Sequence, residues 1–272
     1  MSILEELMKE IEKYWHDFDL NLEIERIQVG IHFTICILND NSTGVCHNVY
    51  SEKCEADLKI DVNGKNLQYN NDINKARSNN PLEVSKLSFS DDIIKKVIGI
   101  SCINAISQHL LFNYEFNLKY SEKKIAGLDF NSINSVGFIG AIVPTMKKLA
   151  KTGIDKIFLR ENDKSKIPEN IDKLIIKEDL DFVEEIEVLL ITGSSLANDT
   201  IDNILDLSSN CKEVVLIGPT ASCIPEPLFN EGLTRIAGMR LMEPNKVCDV
   251  IMKGGGTRQF KKFGRKYYIK KN

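Results

Sequence analysis

The residues best placed to do chemistry fall in four short clusters, each directly behind a run of apolar residues. Thr192-Gly193-Ser194-Ser195 follows Val188, Leu189, Leu190 and Ile191, with Asn198, Asp199 and Thr200 close behind. Hydroxyls beside the free N–H groups of a helix start make a cradle for an anion or a carboxylate. One helix cap needs one such residue. Four in a row exceed capping, so this stretch reads as a binding loop. Gly218-Pro219-Thr220-Ala221-Ser222-Cys223 follows a second apolar run ending at Ile217. It is again small and polar, and Cys223 offers a soft thiolate suited to Zn, Fe or Cu. A lone cysteine also serves as a small inert hydrophobe.

The other two clusters are thinner. In Gly137-Phe138-Ile139-Gly140-Ala141, glycines at a strand-to-helix turn let main-chain N–H groups approach an anion or a ring. The third glycine of a dinucleotide fingerprint is absent, and tight packing explains the pair equally well. Glu161 lies 24 residues after Gly137. An acid at about that offset bonds ribose hydroxyls in nucleotide-binding sheets, while a solvated surface residue is the plainer reading.

The remaining candidates are scattered. The histidines are His16, His32, His47 and His109, and Cys46-His47 with Cys54 lacks the paired spacing of a structural zinc site. No nucleophile elbow, zinc-protease helix or phosphate-loop lysine motif occurs. Gly254-Gly255-Gly256 is a helix stop or a loop that reaches a ligand. The basic end, from Lys261 to Lys271, reads as a lysine-protected strand edge.

These clusters need elements to position them. Ile3, Leu4, Leu7, Ile11 and Tyr14 recur at helical spacing and predict an amphipathic helix over residues 1–17. Residues 23–38 read as one strand with an alternating core of Ile31, Phe33, Ile35 and Ile37. A turn at 39–44 and a returning strand at 45–50 complete a hairpin. Residues 51–80 are Asn-rich and loop-like, with one short strand around 58–62. Ser90 caps a helix to about Leu111, with Asp91 and Asp92 at the positive end of its dipole. Residues 121–134 form a linker. Beyond it, apolar strands at 135–139, 155–159, 188–191, 214–217 and 234–240 alternate with helices at 144–152, 200–208, 227–231 and 245–252. That alternation implies a parallel sheet covered on both faces, a doubly wound, Rossmann-like α/β unit. In such a sheet ligands bind beyond the carboxyl ends of the strands, where the four clusters fall. Residues 1–125 then form a small α+β domain and residues 126–272 the Rossmann-like domain.

Composition narrows the function. The chain has 272 residues, 43% hydrophobic and 27% charged, with a net charge of −4. That near-balance argues against a nucleic-acid binder. No apolar run reaches the roughly 18–20 residues of a membrane span, and residues 97–112 are broken by polar side chains. The acidic N-terminal stretch is unlike a signal peptide. Seven cysteines without paired spacing read as reduced thiols, so the expectation is a cytoplasmic protein.

The runs LLITGSSLANDTIDNILDL, VVLIGPTASCIPEPLF and GLTRIAGMRLMEPNKVCDVIMKGGGTRQF resemble the C-terminal domain of the putative heavy-metal chelation family of prokaryotes. VGIHFT, the Gly44-Val45 turn and the segment around Asn104-Ala105 resemble its enolase-N-terminal-like companion domain. The resemblance implies two domains meeting around a cleft, and a metal ion or small metal chelate handled there. Two departures stand out. Gly140-Ala141-Ile142-Val143-Pro144 lacks the His-Phe-Pro-like segment of family members, and Ser222-Cys223 replaces a proline after Ala221.

The resulting expectation is a ligand bound by Gly140, Glu161, Thr192, Gly193, Ser194, Ser195, Asn198, Gly218, Pro219 and Thr220, with Cys223 as a metal ligand. Few carboxylates, imidazoles or thiolates converge at the predicted edge, so the metal is expected to arrive as a chelate. The alternative is an enzyme using a nucleotide-like or pterin-like cofactor or substrate in the same cleft, although no general base or nucleophile is evident. Homodimers are common enough to expect one.

Overall fold

The computed structural model describes residues 1–49, 80–121 and 124–272. The expected strand around residues 58–62 and Cys54 lie outside them. Helix α1 (Ile3–Asp17) starts on a capping box, Ser2 and Glu5 each bonding the other's main chain. Its apolar stripe of Ile3, Leu4, Leu7, Met8 and Ile11 is buried, as the spacing predicts.

The expected long strand over residues 23–38 is instead two strands. β1 (Ile24–Val29) and β2 (Phe33–Leu38) form an antiparallel pair closed by the Gly30 N–H donating to the Phe33 carbonyl at 2.9 Å. Ile31 sits at the turn, 45% exposed, rather than in an alternating core. Strand β3 (Thr43–His47) completes the sheet in the order β1-β2-β3. All six residues of β2 are buried, because the sheet is covered on both faces.

One cover is the long helix α3 (Ile93–Asn113), which follows the short α2 (Pro81–Ser85) and starts on Asp92 rather than Ser90. The Asp92 carboxylate accepts the N–H groups of Ile94 and Lys95. Buried almost all round, α3 is a core helix, and each of its buried isoleucines contributes about 2 kcal/mol. A β-carbon on Gly44 would stand 2.2 Å from the Ser101 carbonyl oxygen and the Ala105 nitrogen, so only glycine lets β3 lie against this helix.

The second sheet has nine strands. β4 (Leu118–Tyr120) precedes a parallel set: β5 (Ser135–Ile139), β6 (Lys156–Arg160), β7 (Leu174–Ile176), β8 (Val188–Thr192), β9 (Glu213–Ile217) and β10 (Arg235–Ala237). Their spatial order is β7-β6-β5-β8-β9-β10. In chain order that is the 3-2-1-4-5-6 arrangement of a doubly wound sheet, with the winding reversing between β5 and β8. Val188 and Leu190 of β8 pack with Met146 and Leu149 of α4 (Val143–Leu149). Leu189 and Ile191 pack with Ile201 and Ile204 of α5 (Ile201–Leu207). Both faces are therefore covered.

Three details depart from the sequence reading. β7 was not expected. The strand expected over residues 234–240 breaks at Gly238 into β10 and β11 (Met239–Leu241), since a β-carbon there would meet the Tyr267 ring. Further helices follow: α6 (Glu226–Asn230) before β10, then α7 (Pro244–Met252) and α8 (Thr257–Phe260). The basic end forms β12 (Gly264–Lys270), which pairs antiparallel with β4, β10 and β11, so it lies inside the sheet instead of at its edge. The six described cysteines are free thiols. No helix among the described residues is long and apolar enough to cross a membrane.

Candidate functional site

Beyond the carboxyl ends of β5, β8 and β9, three turns pack into one surface. At the first, Gly140 takes φ +87 and donates its N–H to the Arg160 carbonyl at 2.9 Å. A β-carbon on it would stand 2.6 Å from the Thr192 methyl, so this turn lies directly on the next. Glu161 braces it. One carboxylate oxygen accepts the Ala141 N–H at 2.8 Å and the other the Asp163 N–H at 3.0 Å.

The second turn is a short 3-10 segment, Gly193–Leu196. The Thr192 hydroxyl oxygen accepts the Ser194 N–H at 3.5 Å and lies 3.4 Å from the Ser194 hydroxyl. Ser195 is buried and donates its hydroxyl to the Thr192 carbonyl at 2.8 Å. Capping therefore occupies Thr192 and Ser195, and Ser194 is the half-exposed hydroxyl. Asn198 is exposed and turned toward Thr200, whose hydroxyl donates to it at 2.7 Å. Its neighbour Asp199 pairs with Lys96 of α3.

The third turn leaves β9 through Gly218 at φ +126 and continues into the 3-10 segment Pro219–Ala221. Gly193 packs so closely on it that a β-carbon would stand 2.5 Å from the Ala221 nitrogen. Thr220 is buried, and its hydroxyl oxygen accepts the His47 N–H at 2.9 Å. Its carbonyl accepts from Asn104 at 3.0 Å. Thr220 thus joins the two halves of the fold.

Cys223 lies in the apolar core beside Ala221, Ile224 and Leu228, and burial pushes its thiol up to about 12. Near neutral pH it is a protonated packing residue rather than a thiolate poised for a metal. Gly137 sits in mid-strand, where a β-carbon would meet Ile186 and Phe182. With Glu161 bracing main chain, both features that suggested a nucleotide are engaged within the protein.

The structure adds a residue that spacing left in doubt. His47, at the end of β3, meets this surface through Thr220 and packs edge-on against Phe33 at 5.1 Å. Its Nδ1 is buried without a hydrogen-bond partner. Burial, then the charges of Lys166 and His32, pushes its pKa down to about 4, so the imidazole is neutral near pH 7. A neutral imidazole is the form that binds borderline metals. Its sequence neighbour Cys46 is wholly buried, and burial drives that thiol far up. Among the described residues, no group of three or more His, Cys, Asp or Glu side chains gathers around a common point.

Two family models carrying the description "Putative heavy-metal chelation" match this chain, one over residues 125–270 and the other over residues 11–107. An uncharacterized protein of Methanocaldococcus jannaschii is 29% identical over 185 residues, 68% of this chain and 70% of its own length. A crystal structure from Pyrococcus horikoshii superposes with a TM-score of 0.73 at 20% identity, covering 99% of this chain and 100% of its own. One from Desulfitobacterium hafniense gives 0.69 at 17%, covering 98% and 99%. Both are described as proteins of unknown function from the first model's family, and at these identities the likeness shows the fold.

Proposed function

The chain belongs to the putative heavy-metal chelation family, and from that premise we propose that it binds a heavy-metal ion already held by a small anionic chelator. The proposed site is the surface where the β5, β8 and β9 turns meet β3. The observation that carries this reading is His47, a half-buried neutral imidazole whose Nδ1 is buried and unpaired beside the three turns. It supplies one ligand to the metal. The half-exposed Ser194 hydroxyl receives a carboxylate of the chelator. Lys166, whose charge is felt at His47, adds positive potential. A single protein ligand suits a carrier that takes up and releases a whole complex.

The test is spectroscopic titration with nickel nitrilotriacetate, set against nickel ion alone. Imidazole coordination shifts the ligand-field bands of the complex. The expected result is a saturable shift with the complex, little with the bare ion, and loss of at least about tenfold in affinity in His47→Gln. Tighter binding of the bare ion, or a His47→Gln variant that binds as well as wild type, overturns the reading.

A further inference from the structure

A cavity of about 330 Å³ opens between the β2–β3 turn, the last turns of α3, and β11. That volume is at the lower end of small-molecule sites. Its walls include Asp40, Gln108, His109, Phe112, Arg240 and Met242, none of which belongs to the three turns above.

The polar groups in it are held in place. The Arg240 guanidinium carbon lies 4.1 Å from the centre of the Phe112 ring. That contact holds the guanidinium over the ring, and among the described residues no carboxylate pairs with it. His109 sits one turn before Phe112 on the same helix face. Its Nδ1 is 2.6 Å from an Asp40 carboxylate oxygen. Asp40 is held in turn by the Ser42 N–H at 2.9 Å and the Ser42 hydroxyl at 2.8 Å. Burial alone would raise the pKa of Asp40. Hydrogen bonds from His109 and Ser42 outweigh it and hold the group at about 2. A carboxylate only accepts, so the proton between them is on His109 Nδ1, and Nε2 is the ring nitrogen left for a ligand. Gln108 gives its Nε2 hydrogens to the Ser222 carbonyl and the Tyr267 hydroxyl, leaving its Oε1 buried and unpaired.

An unpaired, stacked arginine is built to take a carboxylate through two parallel N–H bonds. An imidazole oriented by a carboxylate is a fixed acceptor for a hydroxyl beside it. We infer that this cavity binds a small hydroxycarboxylate, its carboxylate on Arg240 and its hydroxyl donating to His109 Nε2. The walls come from both halves of the chain, so the bound ligand bridges them. The inference does not rest on the chelate reading, because no metal and none of the three turns takes part.

The test is calorimetric titration of the full chain, free of metal, with malate and with succinate, which lacks only the hydroxyl. The expected result is saturable malate binding, with a preference over succinate of about tenfold. Arg240→Gln lowers malate affinity at least about tenfold with a melting temperature near that of wild type. Arg240→Lys, which keeps the charge without the planar fork, falls between the two. His109→Phe removes the malate preference while succinate binding stays. Absence of malate binding, an Arg240→Gln variant that binds like wild type, or equal affinity for the two acids overturns the assignment.

Discussion

Helix α3 carries two adjoining strips that behave in opposite ways. On the first, Asn104 donates to the carbonyls of Val45 and Thr220 at 2.9 and 3.0 Å, and Gln108 does the same to Ser222 at 3.1 Å. This seam is buried. On the second strip, His109 and Phe112 face the cavity under Arg240. The residues are neighbours in sequence. The difference lies in what stands opposite. The seam faces main-chain carbonyls, which a side-chain amide satisfies, while the open strip faces an arginine with no partner among the described residues. Side-chain N–H donors matched to main-chain carbonyls hold a fold together, whereas a charged group without an ion-pair partner is available to a ligand.

The comparison can be broken by attacking each strip. The largest effect is expected on the closed side. Gly44→Val places a side chain against the main chain of Ser101 and Ala105, which cannot give way as a flexible side chain would. Urea unfolding should show a loss upward of about 3 kcal/mol. A loss below about 1 kcal/mol would mean that the seam is looser than described.

The next effect is one of pH. His47 has its folded pKa pushed down to about 4, mainly by burial. A free histidine titrates near 6.5, so between those values the unfolded chain binds more protons than the folded one. The stability this contributes is complete above pH 6.5 and is lost as pH falls toward 4. Across that window wild type should lose about 3 kcal/mol more than His47→Gln, read from urea midpoints at each pH. Parallel pH profiles would show that the ring is solvated.

The smallest effect belongs to the open strip. Asp40 has its folded pKa lowered to about 2, so its contribution is present above the free value near 4 and is lost as pH falls through 2. The pair is partly exposed and screened, so Asp40→Asn should cost about 1 kcal/mol at pH 7 and little at pH 2. A cost equal to that of Gly44→Val would remove the distinction between the two strips.

Much of the architecture is legible in the chain. The parallel strands β5, β6, β8 and β9 fall within a residue or so of the apolar runs that announce them, and the small polar loops that begin at Thr192 and Gly218 stand at the carboxyl ends of β8 and β9. A strand buried on both faces must be apolar throughout, and that is visible without knowing its neighbours. The turn between β1 and β2 is not visible. Ile31 continues the alternation on paper but sits at a tight reversal. The short strand β7 is missed as well, because Leu174, Ile175 and Ile176 are an edge segment, partly exposed and too brief to carry a pattern.

The roles of single residues divide along the same line. Sequence marks Thr192, Ser194, Thr220 and Cys223 as alike, small groups in loops. Tertiary structure separates them: Thr220 is locked to His47 and Asn104, Cys223 is sunk in the core, and Ser194 stays half-exposed. His109 reads as a polar interruption in an apolar helix until its partner Asp40, 69 residues earlier, is found beside it. By itself the sequence determined the local elements and the edge of the sheet where small polar loops gather, because periodicity and turn chemistry act over a few residues. Only the tertiary structure decided which polar groups meet and which are left without a partner, because hydrogen bonding and burial depend on the residue opposite, wherever in the chain it comes from.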